Sequence, residues 1–250
     1  MTPSGSMTSA VPGGQATDAP AAAPRAPLAV DAVVFDMDGL LLDTEALALN
    51  ALRIAGRELG LDMHDALCHS MIGVAADSSR RLLLEHHGRD APADRFFAAV
   101  ARELEAQVDA GLLRVKPGAP ELLRHLEAEA VPRAVATSSA RAKALRHLRA
   151  AGIADRFDAI VTRDDVTRGK PHPDLYLQAA RELRIEAARC LAIEDSYNGV
   201  RAAAAAGMAV IMVPDLLAPT DEMRRLCRAI LPDLHEVVPL LSARESGQRG

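Results

Sequence analysis

Asp36 and Asp38, two carboxylates with one residue between them, are the strongest chemical signal in this 250-residue chain. They follow an apolar run, Ala32 to Phe35, and precede Gly39, where the chain can turn sharply. No basic residue in the run neutralises them, and a divalent cation such as Mg²⁺ suits oxygen ligands held this close together. Asp and Gly also favour plain turns, so an Asp-x-Asp-Gly by itself leaves that reading open. A calcium-binding loop is excluded, because its further oxygen ligands would fall on Leu40-Leu41-Leu42.

Three later stretches could complete a site. In Val135-Ala136-Thr137-Ser138-Ser139, Thr137 is expected to end a strand and Ser138 to open a helix. Hydroxyls and free backbone N–H groups would then converge on a place suited to a phosphoryl group, although Ser139 need only be a helix cap. In Arg168-Gly169-Lys170-Pro171-His172-Pro173 the lysine stands out, because the chain has 26 arginines and 3 lysines. A loop lysine is ordinarily solvated surface. A lysine in so arginine-rich a chain suggests a need for a compact ammonium, able to neutralise Asp36 and an incoming phosphate together. In Leu191 to Gly199 an apolar strand again ends in carboxylates, Glu194 and Asp195, before a helix. They could merely favour a helix N-terminus, but with Asp36 and Asp38 they complete a metal site. Asp164-Asp165 fits no such pattern and is expected to be a solvated loop. His172 and the other histidines show no ligand spacing and read as surface or structural residues.

The elements that would position these residues follow from periodicity. Strands are expected at Ala32 to Phe35, Pro132 to Thr137, Phe157 to Thr162, Cys190 to Glu194 and Ala209 to Val213. Helices between them, at Ala119 to Ala130, Ser139 to Gly152, Pro173 to Leu183 and Tyr197 to Ala206, indicate a parallel, doubly wound (Rossmann-like) α/β sheet. Between the first strand and the rest lies a block with no strand-like alternation. Its helices are expected at Ala46 to Leu59, Ser78 to His87 and Asp94 to Gly111, which makes it an all-helical insert. The organisation expected is a tail at 1–28, unable to bury enough apolar surface to order itself; a core at 29–44 and 116–240; a helical cap at 45–115; and a flexible tail at 241–250.

Phe35-Asp36-Met37-Asp38-Gly39-Leu40-Leu41-Leu42-Asp43-Thr44-Glu45 resembles the first motif of the haloacid-dehalogenase-like hydrolase superfamily, and the three later stretches match its other motifs in order. Within it the chain is most similar to the β-phosphoglucomutase-like and sugar-phosphatase branch. The resemblance spans about residues 30 to 215 and implies a Mg²⁺-dependent phosphoric monoester hydrolase. In that branch Asp36 attacks phosphorus to form an aspartyl phosphate, and Asp38 protonates the leaving alcohol and then deprotonates water. Mg²⁺ is held by the Asp36 carboxylate, the Asp38 backbone carbonyl and Asp195, with Glu194 as a neighbour. Thr137, Ser138 and Lys170 bind the phosphoryl group, and the helical insert is a mobile cap that reads the rest of the substrate. The substrate implied is a small phosphorylated metabolite, a sugar or polyol phosphate before others.

The alternative within the branch is a phosphomutase. The β-phosphoglucomutases carry a histidine five residues beyond the final Asp of the first motif, where this chain has Ala48. Their cap arginine stands three residues after a Gly-Val pair, where Gly73-Val74 is followed by Ala75, Ala76 and Asp77. Both groups are therefore expected to be missing, which favours hydrolysis. A dehalogenase would have no need of Asp38 and Asp195.

Composition narrows the rest. Net charge is −5, with arginines interspersed among acids, and 2 Tyr, 4 Phe and no Trp offer no stacking platform, so no nucleic acid is expected. No apolar stretch is long enough for a membrane span, and the start lacks a basic segment followed by an apolar run, so no secretory signal is expected. Cys68, Cys190 and Cys227 show neither metal-like spacing nor a disulfide framework, which suits a reducing cytoplasm. A monomer is expected.

Overall fold

A computed structural model describes residues 28, 30–72 and 76–241. The two expected tails lie outside these residues except at their inner ends, where Leu28 and Leu241 form an isolated parallel bridge.

Six strands, β1 (Ala32–Phe35), β2 (Arg133–Ala136), β3 (Ala159–Val161), β4 (Cys190–Glu194), β5 (Ala209–Met212) and β6 (Ala229–Ile230), form one parallel sheet in the order β3-β2-β1-β4-β5-β6. From β1 in the middle the chain winds out to β3, then returns to β4 and winds out to β6. Phe35 pairs with Val135 of β2 on one side and Ile193 of β4 on the other, so the three strands end in line. This is the switch point of the sheet, the crevice where ligands bind in open α/β folds. β6 was not expected, because two residues carry no readable alternation.

Between β1 and β2 run α1 (Thr44–Leu59), α2 (Asp65–Met71), α3 (Ala76–His87) and α4 (Ala93–Asp109). These helices bury their own core, with Leu52, Leu67, Cys68, Leu83 and Phe96 at its centre. α1 starts where the Asp43 side chain accepts from the Ala46 N–H at 3.3 Å. α2 is an addition to the expected helices, too short at seven residues to repeat an apolar face. The insert's two connections run side by side: Leu42 bridges Val115, the Asp43 N–H donates to the Arg114 carbonyl at 2.9 Å, and the Lys116 N–H donates to the Leu41 carbonyl at 2.9 Å.

The remaining helices cover the sheet. Successive residues of a strand point to opposite faces. In the fully buried β1, Val33 and Phe35 join a core with α5 (Ala119–Ala128) and α6 (Arg141–Ala150), through Leu122, Leu123 and Leu148. Ala32 and Val34 join a second core with α7 (Asp174–Leu183) and α8 (Tyr197–Ala205), through Leu175, Tyr176 and Val200. A short α9 (Asp221–Leu226), also not expected, is capped by Thr220 and contributes Met223 to the second core. The architecture is the doubly wound α/β core with an inserted helical cap that the sequence leads one to expect. Among the described residues no helix is long and apolar enough to cross a membrane.

Candidate active site

Asp36 is the first residue beyond β1, and its N–H donates to the Ile193 carbonyl of β4 at 3.0 Å. The Lys170 ammonium, on the loop before α7, bridges Asp36 Oδ1 and Glu194 Oε1, the latter at 2.5 Å. The Lys170 side chain is only 5% exposed. Burial works against its charge, but the carboxylates of Asp36 and Glu194 outweigh burial and hold its pKa above the usual lysine value. Glu194, fully buried at the end of β4, also accepts from the Tyr176 hydroxyl at 2.5 Å. Its other oxygen accepts from the Asp195 and Ser196 N–H groups at 3.1 and 3.2 Å and from Ser196 Oγ at 3.1 Å. Both oxygens of Glu194 are thus occupied by protein donors. Gly199 makes room for them: a Cβ there would lie 1.8 Å from Glu194 Oε1.

Asp36, Glu194 and Asp195 each present a carboxylate oxygen, all within 4.8 Å of one another. Burial, then the opposing Lys170 charge, then Glu194 and Asp38, leave the Asp36 pKa pushed up to about 8. Burial and the charges of Asp36 and Glu194 raise that of Asp195 well above the carboxylate range. Three buried acids share one buried ammonium, and hard oxygen donors with uncompensated charge fit a divalent cation such as Mg²⁺. Asp195 and Asp36 are the two with oxygens left to give. Gly39, at φ +85°, brings the turn against Asp195, since a Cβ there would stand 2.5 Å from Asp195 Oδ2.

Asp38 faces β2. Its Oδ2 accepts from Ser139 Oγ at 2.8 Å and Thr137 Oγ1 at 3.4 Å, and Lys143 Nζ stands 4.0 Å from Oδ1. Ser139 therefore holds Asp38 rather than capping a helix: α6 begins at Arg141, its N-cap is Ala140, and residues 137–140 form a loop. Thr137, Ser138, Lys170, Asp36, Asp38 and Asp195 all line one cavity of about 600 Å³ beneath the helical insert.

The matching profile of the haloacid dehalogenase-like hydrolase family covers residues 30–207. The chain belongs to the haloacid dehalogenase-like hydrolases. Within the family it is 35% identical over 208 residues to the CbbY protein of Cupriavidus necator, covering 77% of this chain and 81% of that one. It is 33% identical over 179 residues to a phosphorylated carbohydrates phosphatase of Thermotoga maritima, covering 72% and 82%. A family hydrolase from Deinococcus radiodurans, solved with phosphate and sodium bound, superimposes with a TM-score of 0.73 at 31% identity, covering 87% and 99%.

Several residues of this hydrolase site escape the motif reading. Ser139, Lys143 and Tyr176 touch or face the aspartates and Glu194, as described. Glu45, in the first turn of α1, faces Asp215 beyond β5, whose Oδ1 is 2.7 Å from Lys116 Nζ in the second connection of the insert. Burial and the hydrogen bond with Asp215 push the Glu45 pKa up to about 8. The signal that could have found these residues is the scarcity of lysine: Lys116, Lys143 and Lys170, all three in the chain, gather here. Asp164 and Asp165 are exposed in a turn, as expected, and they also anchor α6. Asp164 accepts from the Arg141 N–H at 2.8 Å, and Asp165 pairs with the Arg141 guanidinium at 2.7 Å. His172 is exposed, as expected.

Proposed function

We propose that the chain is a Mg²⁺-dependent phosphatase of small phosphorylated metabolites, with sugar and polyol phosphates as the starting class. The observation that carries this reading is the convergence of Asp36, Asp38, Lys170 and Asp195 at the switch point, under one cavity. Asp36 attacks phosphorus, the P–O bond to the alcohol breaks, and Asp38 gives its proton to the departing oxygen. Asp38 then takes a proton from the water that attacks the aspartyl phosphate, which releases inorganic phosphate and restores Asp36. Thr137 and Ser138 donate to the transferring group, and Lys170 offsets its charge while fixing the Asp36 carboxylate. Asp36, Asp38 and Asp195 would hold the Mg²⁺, which supplies charge neutralisation at the phosphoryl oxygens. Residues 45–115 act as a cap that opens about the paired connections at Leu42 and Val115.

Transfer to water rather than to a second sugar position is supported by Ala48, which lines the cavity where a phosphomutase of this branch has histidine. The expected position of the cap arginine, three residues after Gly73-Val74, is Asp77, which is exposed in the first turn of α3; the Gly73-Val74 pair itself lies outside the described residues. The test is phosphate release from a panel of phosphorylated sugars, polyols, glycolate and nucleosides. Asp36→Asn is expected to abolish turnover, and EDTA to abolish it reversibly; appreciable release in either case would overturn the mechanism.

A further inference from the structure

The cavity that opens over Asp36 and Asp38 has apolar walls on both sides. The cap contributes Ile72 and Leu104, each only partly buried, above Leu47 and Val108 at its base. The core contributes Leu216 and Leu217, on the loop after β5, 42% and 49% exposed. Among the described residues only Leu112 is as exposed a large hydrophobic side chain, and these two line one cavity. Among the charged groups of the walls, Glu105 pairs with Arg146 and Lys143 stands 4.0 Å from Asp38, while Glu45 faces Asp215 and keeps one buried oxygen without a partner. No arginine is among the described lining residues, so a second phosphate would find no bidentate partner.

We infer that the alcohol part of the substrate presents an apolar surface, so that the preferred substrate is the monophosphate of an alkyl- or aryl-bearing alcohol rather than of a fully hydroxylated sugar. This rests on the phosphatase reading and departs from its starting class of sugar and polyol phosphates. A polyhydroxylated leaving group would lose water at several hydroxyls and find polar partners only around Thr44, Glu45 and His147, while Ile72, Leu104, Leu216 and Leu217 meet the rest of it. An alkyl or aryl group would cover the two exposed leucines and remove its own surface from water.

The test compares primary alkyl esters, whose leaving groups have similar basicity, in the presence of Mg²⁺. Ethyl, butyl, hexyl and 3-phenylpropyl phosphates are set against glycerol 1-phosphate, glucose 6-phosphate and acetyl phosphate. The expected result is a kcat/KM that rises by up to about fourfold per added methylene and exceeds that of both hydroxylated esters by at least about tenfold for hexyl phosphate. Leu217→Asn and Leu104→Asn are expected to reduce the ratio of hexyl to glycerol ester several-fold; Leu217, half exposed, can change without threatening the fold. Equal or better hydrolysis of glucose 6-phosphate or glycerol 1-phosphate overturns the inference while leaving the phosphatase standing. So does a ratio that neither variant moves. If neither acetyl phosphate nor any ester releases phosphate, the phosphatase reading falls and the inference with it.

Discussion

Replacing Glu194 with glutamine keeps the shape of a fully buried side chain and removes its charge. Five donors meet the carboxylate: Lys170 Nζ and Tyr176 OH on Oε1, and two backbone N–H groups and Ser196 Oγ on Oε2. An amide offers one acceptor oxygen and one NH₂. Placed toward Oε2, the NH₂ would face two N–H groups that cannot accept. Placed toward Oε1, it faces an ammonium that cannot accept and a tyrosine hydroxyl that can turn round. The second orientation is cheaper and loses the Lys170 bond outright, at roughly 1.5–3 kcal/mol, plus part of a buried charge pair. One effect opposes this: Glu194 is among the charges that raise the pKa values of Asp36 and Asp195, and its removal relieves both. The balance is a loss of roughly 2–4 kcal/mol, or a Tm lower by about 5–15 °C for a chain of this size. Thermal unfolding by circular dichroism, in EDTA and in Mg²⁺, reads it alongside kcat. If Glu194 positions Lys170, the loss is present in EDTA and kcat falls with it. An unchanged Tm in EDTA, with the defect confined to Mg²⁺ affinity, would assign Glu194 to the metal and refute the reasoning.

Asp38→Ala is expected to fold but lose roughly 10² to 10⁴ in rate; with nitrophenyl phosphate, whose leaving group needs no proton, phosphoenzyme on Asp36 should accumulate, and a burst of nitrophenol with no adduct in mass spectrometry refutes the assigned role. Ser139→Ala removes the 2.8 Å bond to Asp38 and should lower kcat about tenfold, with a smaller effect on KM; an unchanged kcat would leave Ser139 without a role in holding the acid. Gly199→Ala sets a Cβ 1.8 Å from Glu194 Oε1, so it should cost several kcal/mol in urea unfolding, as overpacking and broken buried bonds do; near-wild-type stability would contradict the packing around Glu194. His147 is buried, and burial, with Lys143 nearby, holds its pKa below 6.5. The unfolded chain therefore binds a proton near pH 6.5 that the folded chain refuses, and stability falls as pH drops below that value. His147→Gln should flatten this fall between pH 7.5 and 5.5 in urea titrations, and an identical slope would exclude His147 as its source.

What the sequence discloses depends on how far a feature repeats along the chain. β1, β2, β4 and β5 are legible because buried strands of a parallel sheet are short apolar runs bounded by turns, and Asp36, Thr137, Glu194 and Asp195 are legible because they stand at the ends of those runs. β6, with two residues, and α9, with six, present too little period to be read. Ser139 is misread for a different reason. Serine before a helix favours the cap position, and only the three-dimensional approach of Asp38, 101 residues earlier, gives its hydroxyl a better partner. Tyr176 and Asp215 face the same obstacle, because nothing local distinguishes a tyrosine inside a helix or an aspartate in a loop from any other. Lysine scarcity is the exception. It is a property of the whole chain, and extended from Lys170 to Lys116 and Lys143 it would have located both.

The charges of the site set the order in which it can fill. Asp36, Asp38, Glu194 and Asp195 place four carboxylates around one end of the sheet, against the ammonium groups of Lys170 and Lys143, while Lys116 is taken by Asp215. Were all four ionised, they would outnumber those two ammonium groups by two charges where, in the proposed mechanism, a phosphate dianion enters. At about 4 Å and an effective dielectric of about 20, each such encounter costs roughly 4 kcal/mol, so the chain's own cations cannot prepare the site for its substrate. In the proposed mechanism a divalent cation would offset that excess, and binding of the anion would then depend on the local donors, Thr137, Ser138 and Lys170. The same excess governs the nucleophile. Burial, and behind it the neighbouring carboxylates against the pull of Lys170, favours a protonated Asp36 near neutral pH, and a protonated carboxyl does not attack phosphorus. In the proposed mechanism, relief of the negative charge therefore serves two steps: it admits the phosphate, and it frees the Asp36 carboxylate to attack it.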